Sequence, residues 1–238
     1  MSPVGPRAWA QWLGRALEAT LLPPTCGGCG RRGAWLCPAC AAALRPVPGP
    51  LCRCGGRSGQ SGATCPVCAS WPPALGPVRA AFVFEGPLRR SIHRFKYRGE
   101  HARGRYLGEL LAGCAETTLQ GQLPDLLLPI PLHPRRLRER GFNQAQILAE
   151  AVARRLDVRI GEGLLRVVDT RAQVGLDFAG RRANMAGAFQ CVTPGVAGAS
   201  VLLIDDVVTT GATMEAAGLA LLAAGAQRVR GLALARGV

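Results

Sequence analysis

The chain has 238 residues and carries 29 Lys and Arg against 15 Asp and Glu, a formal net charge of +14 with a sequence pI near 10.5. This length allows one well-filled core plus a small accessory module, and the charge favours anionic partners such as phosphorylated metabolites, nucleic acid or an acidic surface. No apolar run is long enough to span a bilayer, and the N-terminus lacks the basic head, apolar core and cleavage site of a secretory signal. Membrane insertion is therefore not expected, and a cytoplasmic location is.

In residues 1–25, Trp9, Trp12, Leu13, Ala16 and Leu17 fall at helical spacing and predict a short amphipathic helix. Residues 26–71 follow as a cysteine-rich module. Eight of the ten cysteines lie here, as Cys26-x2-Cys29, Cys37-x2-Cys40, Cys52-x-Cys54 and Cys65-x2-Cys68. Two thiolates two residues apart grip one metal from a single turn, and two such pairs complete a tetrahedral structural zinc site. The first quartet fits this closely. The second is less secure, because one residue rather than two separates Cys52 from Cys54. The module has too few large apolar side chains to fold on a core alone, so metal would supply the missing stability. It holds no histidine to complete an open three-ligand site, which favours a structural zinc over a catalytic one. Cys114 and Cys191 read as ordinary core thiols.

Pro72, Pro73 and Pro77 read as a linker to the main domain at 78–238. Residues 78–84 alternate as a strand. Leu88, Ile92 and Phe95 mark the apolar face of a helix, whose opposite face carries arginines and Lys96, the only lysine in the chain. That face suits solvent and a bound anion about equally. Residues 123–131 predict a buried strand bounded by prolines. It leads into a loop containing Arg135, Arg136 and Arg140, then a helix with Phe142, Ala145, Leu148, Ala149, Val152 and Leu156 on its apolar face. A strand, a basic Gly-containing loop and a helix form a phosphate-binding layout. His133, between prolines, reads as a structural contact rather than a general base. Residues 166–184 lack periodicity and predict a hood or lid.

The most informative run begins at Val201. Four apolar residues predict a buried parallel strand, followed by Asp205, Asp206, Val207, Thr209, Thr210, Gly211, Ala212 and Thr213, then a helix from Met214 to Ala224. Carboxylates at the C-terminal edge of a parallel strand lie where open α/β sheets bind ligands. The threonines can donate to phosphate oxygens, Gly211 lets the backbone approach, and the helix N-terminus adds N–H groups and partial positive charge. Oxygens for sugar hydroxyls or magnesium thus lie beside a phosphate cradle, which suits a ribose 5-phosphate. Residues 228–235 predict a last strand.

This run resembles the signature of type I phosphoribosyltransferases, which bind phosphoribosyl pyrophosphate (PRPP). The whole chain resembles the ComF family of competence-associated phosphoribosyltransferase-like proteins, especially its ComFC-type members. The match also includes Phe95-Lys96-Tyr97-Arg98-Gly99, Arg140-Gly141-Phe142-Asn143-Gln144 and Arg181-Arg182-Ala183-Asn184. The resemblance implies an α/β phosphoribosyltransferase fold, a parallel sheet flanked by helices, preceded by a double zinc ribbon. It implies that Asp205 and Asp206 hold the ribose hydroxyls, directly or through Mg2+. Residues 209–213 would hold the 5-phosphate, and Arg135, Arg136 and Arg140 the pyrophosphate. Asp205, Asp206 and Arg140 are then the expected catalytic residues of a pentosyl-transferring glycosyltransferase acting on a nitrogenous acceptor. No acceptor pocket is legible. The alternative implied is a non-catalytic PRPP-sensing competence factor that binds single-stranded DNA or serves the DNA-uptake machinery. A P-loop motor is excluded, because Lys96 is followed by Tyr97 rather than Ser or Thr.

Overall fold

A computed structural model describes residues 23–56, 65–119, 121–169, 185, 187–192 and 195–237. The predicted N-terminal helix lies outside them, as do residues 170–184 of the predicted hood. After a short helix α1 (Pro38–Ala42) come β1 (Leu75–Val83), α2 (Gly86–Arg98) and α3 (His101–Leu119). Next are β2 (Leu126–Pro129), α4 (Pro134–Arg140), α5 (Gln144–Leu156), β3 (Leu164–Arg166) and β4 (Phe189–Cys191). The chain closes with β5 (Ser200–Val208), α6 (Ala212–Ala223) and β6 (Arg228–Arg236). Among these, no helix is long and apolar enough to cross a membrane.

Four strands form a parallel sheet in the order β1-β6-β5-β2, and β3 pairs antiparallel with β4. Side chains alternate across a strand, so each central strand feeds two cores. Leu127, Leu202, Ile204 and Leu232 face α2, α3 and α5. Leu126, Leu128, Val201 and Leu203 face α6 and the second cysteine quartet.

This division creates the ligand crevice. The helix after β2 covers one face and the helix after β5 covers the other, although the two strands are neighbours. The chain therefore diverges at their C-terminal ends, which is where open α/β sheets take ligands.

The structure departs from the sequence reading at several boundaries. β1 begins at Leu75 and contains Pro77, with a register irregularity between Leu75 and Val78. Proline is tolerated there because β1 is an edge strand and the missing N–H breaks no central ladder. The arginine loop is in large part helix α4, which has Pro134 at its first turn and Gly141 at φ +81 closing it. β5 continues beyond the aspartates to Val208, because its pairing with β6 runs on to Arg236.

Candidate functional site: a charged cleft at the strand ends

Asp205 and Asp206 lie near the C-terminal end of β5, and both line one cleft. Asp206 is 3% exposed and forms an ion pair with Lys96 near the end of α2. Its N–H donates to Asp205 Oδ1 at 2.8 Å. Burial works against the Asp206 carboxylate, but the adjacent Lys96 ammonium outweighs it and holds the carboxyl below its ordinary value. Burial and then the neighbouring Asp206 charge push Asp205 well above the usual carboxylate range. Lys96 thus balances the charge of Asp206, while Asp205 is disfavoured as an anion.

A cleft of about 220 Å³ opens over this pair. It is lined by Lys96, Tyr97, residues 130–132, Arg136, Arg140, Gln144, Arg166, both aspartates and Thr213. Four cations and two carboxylates therefore face one small volume. Burial and then the Arg136 charge lower the pKa of Arg166.

The local sequence explains how these groups arrive. In the Arg140-Gly141-Phe142-Asn143-Gln144 motif, Arg140 and Gln144 line the cleft and bond each other at 2.5 Å. Gly141 takes the left-handed conformation that ends α4, and Phe142 anchors in the core against Phe95. Asn143 caps α5: its Oδ1 accepts from the Ala145 N–H (3.1 Å) while its Nδ2 donates to Ile130 O (3.1 Å). The motif thus fixes α5 to the end of β2. His133 caps α4, its Nδ1 accepting from the Arg135 N–H at 3.3 Å, which is a structural contact.

The structure places the expected residues unequally. Asp205, Asp206, Arg136, Arg140 and Thr213 line the cleft. Thr209, Thr210, Gly211 and Ala212 form the loop leading to Thr213, with Thr210 Oγ1 accepting from the Ala212 N–H (3.3 Å) and Gly211 as the N-cap at φ +86. Val207 sits between the aspartates and this loop in β5. Arg135 does not line the cleft, because Glu139 (3.0 Å) and Asp169 (3.3 Å) hold it at the surface. Of the other lining residues, Lys96 stands on the helix face read as suiting solvent and a bound anion about equally and Arg166 opens the expected hood, whereas Tyr97 and Gln144 were not expected in the cleft. For Lys96 the available signal was that the only lysine of an arginine-rich chain stands in an otherwise core-anchored helix end.

All eight clustered cysteines gather as two quartets. In each, the sulfurs lie within 4.8 Å of one another. In the second quartet, Cys52 and Cys54 stand 3.1 Å apart, and Cys65 lies 3.5 Å from each and 3.7 Å from Cys68. Four sulfurs about 2.3 Å from a central zinc would be separated by roughly 3.8 Å, so both quartets have the donor set and size for that ion. The short Cys52-x-Cys54 spacing, suspect in the sequence, does not prevent the gathering. The first quartet docks on α3 through buried Arg103, which donates to Trp35 O (2.9 Å) and Thr25 O (2.8 Å).

The parallel sheet and the carboxylate-and-cation cleft at its switch point define a phosphoribosyltransferase-like protein, and residues 143–237 match the phosphoribosyl transferase domain family. Among known proteins, the chain is 32% identical over 209 residues to "DNA utilization protein YhgH" of Escherichia coli K12, covering 86% of this chain and 92% of the relative. It is 30% identical over 208 residues to "Competence protein F" of Haemophilus influenzae, covering 84% and 90%. It is 29% identical over 199 residues to "Competence protein ComFC" of Bacillus subtilis, covering 80% and 79%. The chain belongs to the ComF family.

Proposed function

We propose that this chain binds PRPP with Mg2+ in the cleft and transfers its phosphoribosyl group to a nitrogenous acceptor. The observation that carries the reading is the half-neutralised Asp205–Asp206 pair, set between four cations and a helix N-terminus. The two carboxylates hold the ribose hydroxyls, directly or through magnesium, and residues 209–213 take the 5-phosphate. Arg136, Arg140 and Lys96 face the pyrophosphate, with Arg135 at the rim. Bound magnesium would supply charge neutralisation of the leaving group.

Displacement at the anomeric carbon passes through an oxocarbenium-like state. The catalytic demand is therefore on positioning and on neutralising the departing pyrophosphate, not on a protein nucleophile. Asp205, Asp206 and Arg140 carry that role here. The two cysteine quartets hold structural zinc, and residues 26–71 act as a zinc-binding module against the transferase domain at 78–238. The site of action is the cytoplasm.

A second reading is favoured by an adjoining surface. A groove of about 570 Å³ runs between the first cysteine knuckle and α2, lined by Arg89, Arg90, His93 and Arg94. Beside it, Phe84 and His93 stack at 6.1 Å and His93 meets Tyr97 at 5.8 Å, with Tyr97 71% exposed. Arginines beside exposed rings suit single-stranded DNA, and the printed names of the relatives concern competence and DNA utilization.

One experiment separates the readings. Pyrophosphate release from PRPP is measured against a panel of nucleobases and amines, alongside binding of a single-stranded oligonucleotide at several salt concentrations. The transferase reading expects acceptor-dependent release, and Arg89→Glu should leave it intact. If no acceptor raises release above background while the oligonucleotide binds with a steep salt dependence that Arg89→Glu flattens, the second reading replaces the first.

A further inference from the structure

The loop at 209–213 rests directly on the second cysteine quartet. A Cβ built on Gly211 would lie 3.5 Å from Trp71 Cη2 and 3.6 Å from the Cys54 carbonyl oxygen. The loop backbone therefore packs on the indole edge and on the knuckle itself. The Cys54 oxygen also accepts from Arg236 Nη1 at 3.1 Å, and Arg236 is the β6 residue paired with Val208, just before the loop. On the other side of the loop, a Cβ on Gly237 would fall 2.8 Å from Thr209 Cγ2. Gly211 and Thr209 are thus enclosed by the quartet and the end of β6.

The quartet in turn holds Trp71. The Trp71 backbone N–H donates to Cys68 O at 3.2 Å, and the ring is 3% exposed in a core shared with Cys52, Cys54, Val208 and Ala212. The indole Nε1 has no hydrogen-bond partner among the described residues, so packing alone holds the ring. From Cys52 to Trp71 the sequence offers only Val67 and Trp71 as large apolar side chains besides the cysteines. The order of this wall therefore depends on its four sulfurs. The first quartet stands on the opposite face of the sheet, against Tyr106 and Leu110 of α3.

We infer that the second cysteine quartet, acting through Trp71 and the Cys54 carbonyl, holds the 209–213 loop in its ligand-ready shape, so that the anion site depends on this quartet and not on the first. The inference rests on reading 209–213 as the phosphate loop. Trp71 is a positioning residue that acts through Gly211. Loss of metal or oxidation of thiols at the second quartet would loosen the loop without touching any group that faces the ligand.

Hydrogen–deuterium exchange of the full chain tests this directly. In Cys65→Ser, the amides of residues 209–215 should exchange about tenfold faster or more, while Cys29→Ser should leave them within about twofold of wild type. Trp71→Leu should loosen the same segment while retaining the metal content of the parent protein, and it decides the question if Cys65→Ser fails to fold. Unchanged exchange of 209–215 in Trp71→Leu, or equal loosening by Cys29→Ser, would overturn the inference. Adding Mg2+ and PRPP to the wild type should protect the segment. If it does not, the ligand reading fails, while the coupling between quartet and loop is still read from the variants.

Discussion

Replacing Asp206 by asparagine is expected to destabilise the ligand-free protein by about 3 kcal/mol, whereas replacing Asp205 by asparagine is expected to stabilise it. The opposite signs follow from the two environments. Asp206 is almost fully buried and paired with Lys96, and removing one partner of such a pair leaves an uncompensated charge. The loss falls at the lower end of the usual range, because the Lys96 side chain keeps 19% exposure and Asp205 stands beside it. Asp205 is destabilised as an anion by burial and by Asp206, so a neutral amide relieves it.

The pH dependence has a definite sign. The Asp206 pKa is lowered on folding, so its contribution is complete above the ordinary carboxylate range and is lost as pH falls through the folded-state value. The Asp205 pKa is raised, so the wild type loses stability as pH climbs from the ordinary carboxylate range through that elevated value. Asp205→Asn should lack that loss. Denaturant unfolding from about pH 2 to pH 8 checks both, with the Asp206 loss below the ordinary carboxylate range and the Asp205 loss above it; an Asp206→Asn protein as stable as wild type at neutral pH would contradict the ion-pair assignment. A site kept at the expense of stability is what a cation- and hydroxyl-binding pair requires.

Metal removal should have the larger effect. Structural zinc in small cysteine sites supplies on the order of 10 kcal/mol of apparent folding free energy. Without metal the first quartet cannot ionise fully. Burial and then neighbouring cysteines push the Cys40 thiol up to about 12. Backbone N–H donors, opposing burial, bring Cys26 down to about 6. Zinc binding must therefore release protons, and retention should weaken as pH falls. Elemental analysis should return two zinc ions per chain, and a strong chelator should abolish the cooperative melt of the parent protein. The first quartet should yield its metal sooner, because Cys29 is exposed whereas Cys65, the most open thiol of the second quartet, is half-buried. A chain that stays fully folded and equally heat-stable after chelation would refute the structural role.

Much of this was legible in the sequence wherever a local pattern decided the outcome. The run of four apolar residues before Asp205 read as a strand buried on both faces, which put the two aspartates at its C-terminal edge. The helix with Leu148, Ala149 and Val152 was fixed by its period, and Gly141 and Asn143 supplied its boundary chemistry. Helix α4 escaped because it buries no residue and so shows no apolar period; only Pro134 and Gly141 marked its ends. The three-residue strands β3 and β4 were too short to carry any pattern.

Whether Lys96 faced solvent or an anion was left open for a different reason. Its partner lies 110 positions further along the chain, and nothing within a helix face says which of several cations turns inward. The same holds for the contact of Trp71 with Gly211, which exists only because the sheet brings a cysteine knuckle to the end of β5. The second quartet looked uncertain as spacing but became plain once four sulfurs converged.

The central claim is that the cleft over Asp205 and Asp206 is a PRPP site, and calorimetric titration of the wild-type protein with PRPP, with and without Mg2+, tests it most directly. The account predicts saturable binding of one PRPP per chain that strengthens with Mg2+, with pyrophosphate and ribose 5-phosphate each binding more weakly than the intact molecule. No saturable heat with PRPP up to about 1 mM in the presence of Mg2+ would contradict it.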